Sequence, residues 1–152
     1  MPEFFQMRVK KYFRALDALD ADVAASFFTT GATVRLAGAS PISGRAAIRK
    51  ALVQLSLDVD ELHHDPVSLW TAGRLSVLEA DVTVTLGDRT IVAFPATYSI
   101  WWTEGLIEEA SVNLYLESRM AVAMSAFDRV RRLGSAVRTA SHPYHGPALH
   151  WR

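Results

Sequence analysis

The sequence predicts an α+β fold in one domain, with helices gathered at the N-terminus and a sheet built from the later residues. Up to about residue 55, apolar residues recur at three- and four-residue steps. Beyond that point the period changes, and runs rich in Val, Thr, Trp and Ile are separated by short turn sequences. At 152 residues the chain suits a single domain that buries about 68–70% of its unfolded surface.

Phe5, Val9, Tyr12, Phe13, Leu16 and Leu19 place a first helix roughly from Glu3 to Leu19. Asp20 and Asp22 are both suitable caps for a short second helix that carries Val23 and Phe27. Ala32–Ala37 reads as a strand and Gly38–Pro41 as a loop. Ser43 then caps a third helix with Ile48, Leu52 and Leu55 on its apolar face. Strand-like runs come next, at about 64–71, 75–86, 89–103 and 106–117. Thr-Ala-Gly-Arg, Leu-Gly-Asp-Arg and Thr-Glu-Gly between them predict tight hairpins and an antiparallel meander. Pro66 and Pro95 cannot donate to a ladder, so an edge or bulge is expected at each. Beyond residue 118, Met120, Ala123, Met124, Phe127, Val130 and Leu133 give a fourth helix with one apolar face, and an irregular tail runs from Ser141 to Arg152.

Composition excludes several functions. The chain has no cysteine, so disulfides, thiolate metal sites and cysteine nucleophiles are ruled out. No apolar run approaches the roughly 20 residues that span a bilayer, so no membrane partner is expected. The opening Met-Pro-Glu-Phe-Phe-Gln lacks a basic region followed by an apolar core, which points to no secretory signal and a cytoplasmic default. Zero net charge hides an asymmetry: residues 1–118 carry 10 Lys and Arg against 15 Asp and Glu, whereas residues 119–152 carry 6 Arg against Asp128 alone. The arginines are spaced, with little aromatic interleaving, and the body is acidic. Docking of residues 119–152 on their own domain or on a partner subunit therefore fits better than nucleic acid. The histidines His142, His145 and His150 match no ligand spacing, so no metal is expected.

Helix, helix, strand, glycine-led helix and four strands is an order with a relative. Together with Tyr12-Phe-Arg-Ala-Leu16, Ser43-Gly-Arg-Ala-Ala-Ile48 and the closing Gly105-Leu-Ile-Glu-Glu109, it resembles the ketosteroid isomerase-like (nuclear transport factor 2-like) superfamily, and within it the SnoaL-like polyketide cyclases. The resemblance spans about residues 8–118 and gives a domain of 1–118, followed by the helix and tail. It implies a cone: a curved antiparallel sheet whose concave side is closed by the N-terminal helices over an apolar pocket.

Placement on that family, with strand alternation, assigns faces. Val34 and Leu36 point inward on the first strand. Phe94, Ala96, Tyr98, Ile100 and Trp102 do so on the long central strand. Ala110, Val112, Leu114 and Leu116 do so on the last, and Glu79, Asp81 and Thr83 on the strand from residue 75. The implied catalytic groups are mostly missing. The general-base aspartate of ketosteroid isomerases falls at Leu36 and their protonated aspartic acid at Ala96. The catalytic aspartate of the similar limonene epoxide hydrolases falls at Val112 and their pocket arginine at Asp81. Neither mechanism can run here with the family's own residues.

Three candidates for chemistry remain. Asp81 at the wall of an apolar pocket would have its charged form desolvated, suiting it to proton transfer. If Leu78, Val82 and Val84 face the core instead, Glu79 and Asp81 are merely solvated. Tyr12 could polarise a ligand oxygen or simply pack in the core. Of the pair His63-His64, alternation sends one inward, and His64 is preferred, as a proton carrier or as a hydrogen-bonded structural residue. Phe28, Leu36, Glu79, Thr83, Phe94, Ala96, Tyr98, Trp102, Val112 and Leu114 would line the substrate site. The expected activity is a cofactor-independent isomerase or cyclase of the SnoaL-like kind, acting on a mostly apolar small molecule, polycyclic ones included. The alternatives are a binder of small molecules that performs no chemistry, or a scaffold with a filled core. Leu78, Val82, Val84 and Trp101 on the outer sheet face would form an apolar patch, so a homodimer through that face is expected.

Overall fold

The computed structural model describes residues 2–36 and 39–115. The expected fourth helix and tail, and the inward Leu116, lie outside these residues. Helix α1 (Pro2–Asp17) carries Val9, Tyr12, Phe13 and Leu16 on its buried side. It stops in a double reverse: Leu19 N–H donates to Leu16 O at 2.9 Å and Asp20 N–H to Ala15 O at 3.1 Å. That motif needs a left-handed residue between them, and Leu19 supplies it at φ 55° without the usual glycine. The chain is thereby turned into α2 (Ala21–Ala25), whose Val23 N–H is accepted by the Asp20 carboxylate at 3.1 Å.

Strand β1 (Phe28–Leu36) starts four residues before the sequence expectation, because Phe27 and Phe28 already extend over the core. Ser43 does not cap the third helix. It belongs to the two-residue strand β2 (Ile42–Ser43) paired with β1, and Gly44 at φ 93° makes the turn into α3 (Arg45–Asp58) with no side-chain cap. The meander is then β3 (Val59–Ala72), β4 (Leu75–Leu86), β5 (Ile91–Thr103) and β6 (Leu106–Leu114). The sheet order is β2-β1-β6-β5-β4-β3. All neighbours are antiparallel except β1, which joins β6 in parallel. The result is a curved open sheet closed on its concave side by the helices.

Pro66 behaves as its chemistry requires, lying on the edge strand at a register shift between Pro66 and Ser68. Pro95 does not. It sits in the unbroken β4–β5 register opposite Asp81, with neither edge nor bulge. Its carbonyl accepts from Tyr115 N–H at 3.0 Å, so its missing N–H faces β6 where that strand ends and no ladder bond is lost.

Two apolar clusters fill the cone. Phe13, Phe28, Ile100 and Trp102 build the narrow end under α1, and Val59, Leu86, Val92 and Phe94 the opposite end. The phase of β4 corrects the sequence expectation. Leu78, Ala80, Val82, Val84 and Leu86 are the buried set, so Glu79, Asp81 and Thr83 stand on the outer face. The same correction removes three of the four residues argued to form an apolar dimer stripe, leaving only Trp101 exposed, at 44%.

Candidate active site

Between α3 and the concave face of the sheet lies a cavity of about 200 Å³. Both long helices and all six strands contribute to its wall. Helix α3 presents Ile48, Ala51, Leu52 and Leu55 at helical spacing, and is otherwise so lightly packed that Ile48 is its only fully buried residue. Strands β1 and β6 give Val34, Leu36, Val112 and Leu114, with Ile42 from β2. Strands β3 and β4 give Leu62 with its register partner Val84, and His64 with Val82. Phe94 and Tyr98 come from β5, Tyr12 and Leu16 from α1.

Three side chains interrupt this apolar wall: Tyr12, His64 and Tyr98. The His64 side chain is 3% exposed and is held on both ring nitrogens. Nδ1 lies 2.5 Å from the Asp17 carboxylate, whose second oxygen accepts the His64 backbone N–H at 3.0 Å. Nε2 lies 2.6 Å from the Tyr98 hydroxyl. A carboxylate can only accept, so Nδ1 carries a proton. In the neutral ring Nε2 is then the acceptor, and Tyr98 donates to it. The order Asp17–His64–Tyr98 thus runs from the end of α1, through the edge strand, into the cavity. Phe13 clamps it, its ring centroid 4.9 Å from His64 and 4.8 Å from Tyr98.

Tyr12 stands beside this chain with its ring edge-on to Phe13 and Phe28. It is 8% exposed, and among the described residues its hydroxyl has no hydrogen-bond partner. A buried polar group without a partner costs about 1–3 kcal/mol, and at the cavity wall this hydroxyl is placed to meet a water or a ligand. Burial pushes its pKa well above the ordinary tyrosine value. Burial does the same for Tyr98, and the proximity of Tyr12 and of the Asp17 carboxylate adds to it. Both hydroxyls are therefore neutral at physiological pH and act through their hydrogens and lone pairs.

Of the residues expected at the site from sequence, Tyr12, His64, Phe28, Leu36, Phe94, Tyr98, Val112 and Leu114 meet at this cavity. Ala96 faces the same side but packs among Val82, Val84 and Phe94 rather than bordering the void. Trp102 is buried in the narrow end against Phe5, its indole N–H donating to Ser76 at 2.9 Å. Asp81, expected as the principal proton carrier, is exposed on the opposite face across from Asp65, and cannot reach the cavity. Glu79 accepts from Ser68 at 3.1 Å on that outer face, and Thr83 pairs there with His63. Placement on the family turns these three inward. Alternation alone does not, since the set 78, 80, 82, 84, 86 is wholly apolar and its complement contains the charges. Asp17 is absent from the sequence candidates. Its only sequence signal is its position four residues after Phe13, on the edge of the buried stripe of α1.

Among the described residues, the cavity wall holds no carboxylate and no lysine or arginine, and no group of His, Asp or Glu could hold a metal ion. No helix among them is long and apolar enough to cross a membrane.

Comparison with known proteins agrees with this architecture. The epoxide hydrolase/cyclase-like enzyme SalBIII, of pyran ring formation in the polyether salinomycin, is 25% identical, with a TM-score of 0.66 over 73% of this chain and 90% of that one. A protein of Shewanella denitrificans named as a SnoaL-like polyketide cyclase has a TM-score of 0.70 at 14% identity, covering 79% of this chain and 96% of that one. An epoxide hydrolase of Mycobacterium tuberculosis described as LEH-like has a TM-score of 0.69 at 15% identity, covering 86% and 92%. The last two likenesses are of fold. No curated protein matches the chain. The model of the SnoaL-like domain matches residues 9–110, from the middle of α1 to the inward Ala110 of β6, and so takes in most of the cavity wall: this chain belongs to the SnoaL-like domain family.

Proposed function

We propose that this chain is an isomerase or cyclase that acts on a mostly apolar small molecule through its own side chains, with the Asp17–His64–Tyr98 chain moving the proton and Tyr12 polarising an oxygen. The observation that carries this is the convergence of the Tyr12 and Tyr98 hydroxyls on one apolar cavity, one unpartnered among the described residues and the other joined to a buried histidine–carboxylate pair. A cavity of about 200 Å³ is below the usual 300–1,000 Å³ of ligand sites. An apolar void of about 150 Å³ takes benzene, so the space suits one substituted ring rather than a polycycle.

The chemistry that fits is ring closure or opening by an internal hydroxyl, which is compatible with the pyran ring formation named for SalBIII. The substrate hydroxyl gives its proton to Tyr98 oxygen while Tyr98 passes its own to His64 Nε2. The new C–O bond forms as a strained C–O bond breaks, and Tyr12 donates to the departing oxygen. The imidazolium, held by Asp17, then delivers its proton through Tyr98 to the departing oxygen, which ends as a hydroxyl while His64 and Tyr98 regain their starting states. Because burial disfavours a phenolate at Tyr98, the two proton shifts are concerted. Such acid–base assistance is worth about 10²–10⁴-fold, and confinement of the reacting groups adds to it.

A panel of hydroxy-epoxides of one-ring size tests the proposal by product analysis. Conversion by the wild type, with Tyr98→Phe folded and slower by about 10²–10⁴-fold, is the expected result. Undiminished turnover in Tyr98→Phe would remove the proton chain from the mechanism. A second reading, binding without chemistry, is favoured by one fact: no carboxylate among the described residues touches the cavity. Tight binding across the panel with no conversion would establish it.

A further inference from the structure

We infer that the position of one proton on the Asp17–His64–Tyr98 chain decides which ligands the cavity accepts. With His64 neutral it takes alcohols, and with His64 protonated it takes ketones and ethers. The inference rests on the reading of this cavity as a small-molecule site, but not on any reaction occurring there.

The hydrogens available along the chain can be counted. Asp17 fixes the hydrogen of neutral His64 on Nδ1, at 2.5 Å. Nε2 must then accept, and the only hydrogen of the Tyr98 hydroxyl, 2.6 Å away, is committed to it. What Tyr98 shows the cavity is lone pairs alone. Tyr12 is free to donate or to accept, having no partner among the described residues. An alcohol satisfies both, donating to Tyr98 and accepting from Tyr12. A ketone or ether accepts from Tyr12 but sets its oxygen against the Tyr98 lone pairs, with no hydrogen between.

Protonation reverses this. In the imidazolium both nitrogens donate, so Nε2–H is given to Tyr98 oxygen and the Tyr98 hydrogen turns into the cavity. A carbonyl or ether oxygen then receives two hydrogens, one from each tyrosine. The surrounding groups leave the exchange to this chain. From α1, Asp17 and Phe13 face His64 and Tyr12 shares its cavity wall; from β5, Tyr98; from β4, the uncharged Val82 is its register partner. On its own strand, exposed His63 lies 4.0 Å from Asp17 and is a further titratable group beside this chain.

The test uses a cyclohexanol and a cyclohexanone bearing the same alkyl substituent, titrated calorimetrically into the full chain at a series of pH values between about 5 and 8. The alcohol should bind about five- to tenfold tighter than the ketone at pH 8, the worth of about one hydrogen bond. The ratio should fall to unity or invert at pH 5. In Tyr98→Phe both probes should bind with a ratio that no longer depends on pH. In His63→Gln, where the exposed histidine is gone, the pH dependence should persist. A wild-type ratio that is constant with pH, or one whose pH dependence survives Tyr98→Phe, overturns the inference and leaves the cavity a ligand site. Failure of both probes to bind at any pH counts against the ligand-site reading itself.

Discussion

At the scale of single residues, two aspartates with opposite fates make the clearest contrast. Asp17 is on the last turn of α1, where a carboxylate is disfavoured by the helix dipole, yet it is fixed by two hydrogen bonds from His64. Charge-assisted bonds of this kind are worth about 1.5–3 kcal/mol each, and two of them outweigh a dipole effect of up to about 2 kcal/mol. Asp81 is exposed opposite Asp65, and like charges across a strand pair are mildly unfavourable, by about 0.2–1 kcal/mol. Asp17→Asn should therefore lower the denaturant midpoint and reduce turnover at least tenfold, because the ring tautomer of His64 is no longer fixed. Asp81→Asn should leave turnover unchanged and raise stability by a few tenths of a kcal/mol. Equal effects of the two substitutions would contradict this assignment. The inward turn of His64 was open to sequence reasoning through alternation, but its carboxylate was not. The two are 47 positions apart, and nothing local marks a helix carboxylate for a strand histidine.

Among the elements, the β5–β6 hairpin does more than join strands. Glu104 and Gly105 take φ of 51° and 78°, the pair of positive values that a two-residue hairpin turn of type I′ requires. Gly105 O accepts from Arg8 Nε at 3.0 Å, and a Cβ on this glycine would meet the Phe4 ring at 3.3 Å. The turn therefore anchors α1, which carries Tyr12 and Asp17. Gly105→Ala should cost about 1 kcal/mol or more from the left-handed backbone alone, read as a lower denaturant midpoint at unchanged slope. Phe4→Ala in the same chain should recover only the contact part, since the strain is in the backbone. Full recovery would place the cost in the side-chain clash instead. The turn sequence Thr-Glu-Gly announced this hairpin. The misplaced cap at Ser43 shows the opposite case, since pairing with Thr33 on β1 claimed that residue for the sheet.

For the whole molecule, the buried tyrosines give stability a dependence on alkaline pH. Both hydroxyls titrate above the ordinary value of 10 when folded. Below pH 10 they are protonated in both states and their contribution is constant. Above it the unfolded chain loses protons that the folded chain retains, so stability falls as pH rises, by up to about 1.4 kcal/mol per pH unit for each group. Chemical denaturation between pH 9 and 11.5 should show this slope, and Tyr12→Phe with Tyr98→Phe should flatten it. A slope unaltered in the double variant would assign the alkaline loss to other groups.

The class of fold, the order of its elements apart from the two-residue β2, the family and the apolar lining from β1, β5 and β6 were legible in the residues themselves. These depend on local period, turn residues and alternation, which are written along the chain. The residues also removed the family's acidic groups from the site, since Leu36, Ala96 and Val112 can carry no proton. Which face of β4 meets the cavity, and which groups hold His64, was settled by packing in three dimensions. A strand's phase is a binary choice, and a single wrong anchor at Asp81 turned Glu79, Asp81 and Thr83 to the wrong side together. The partners of His64 come from α1 and β5, brought against the edge strand by closure of the cone. Contacts of that kind join distant segments, and no short window of sequence contains them.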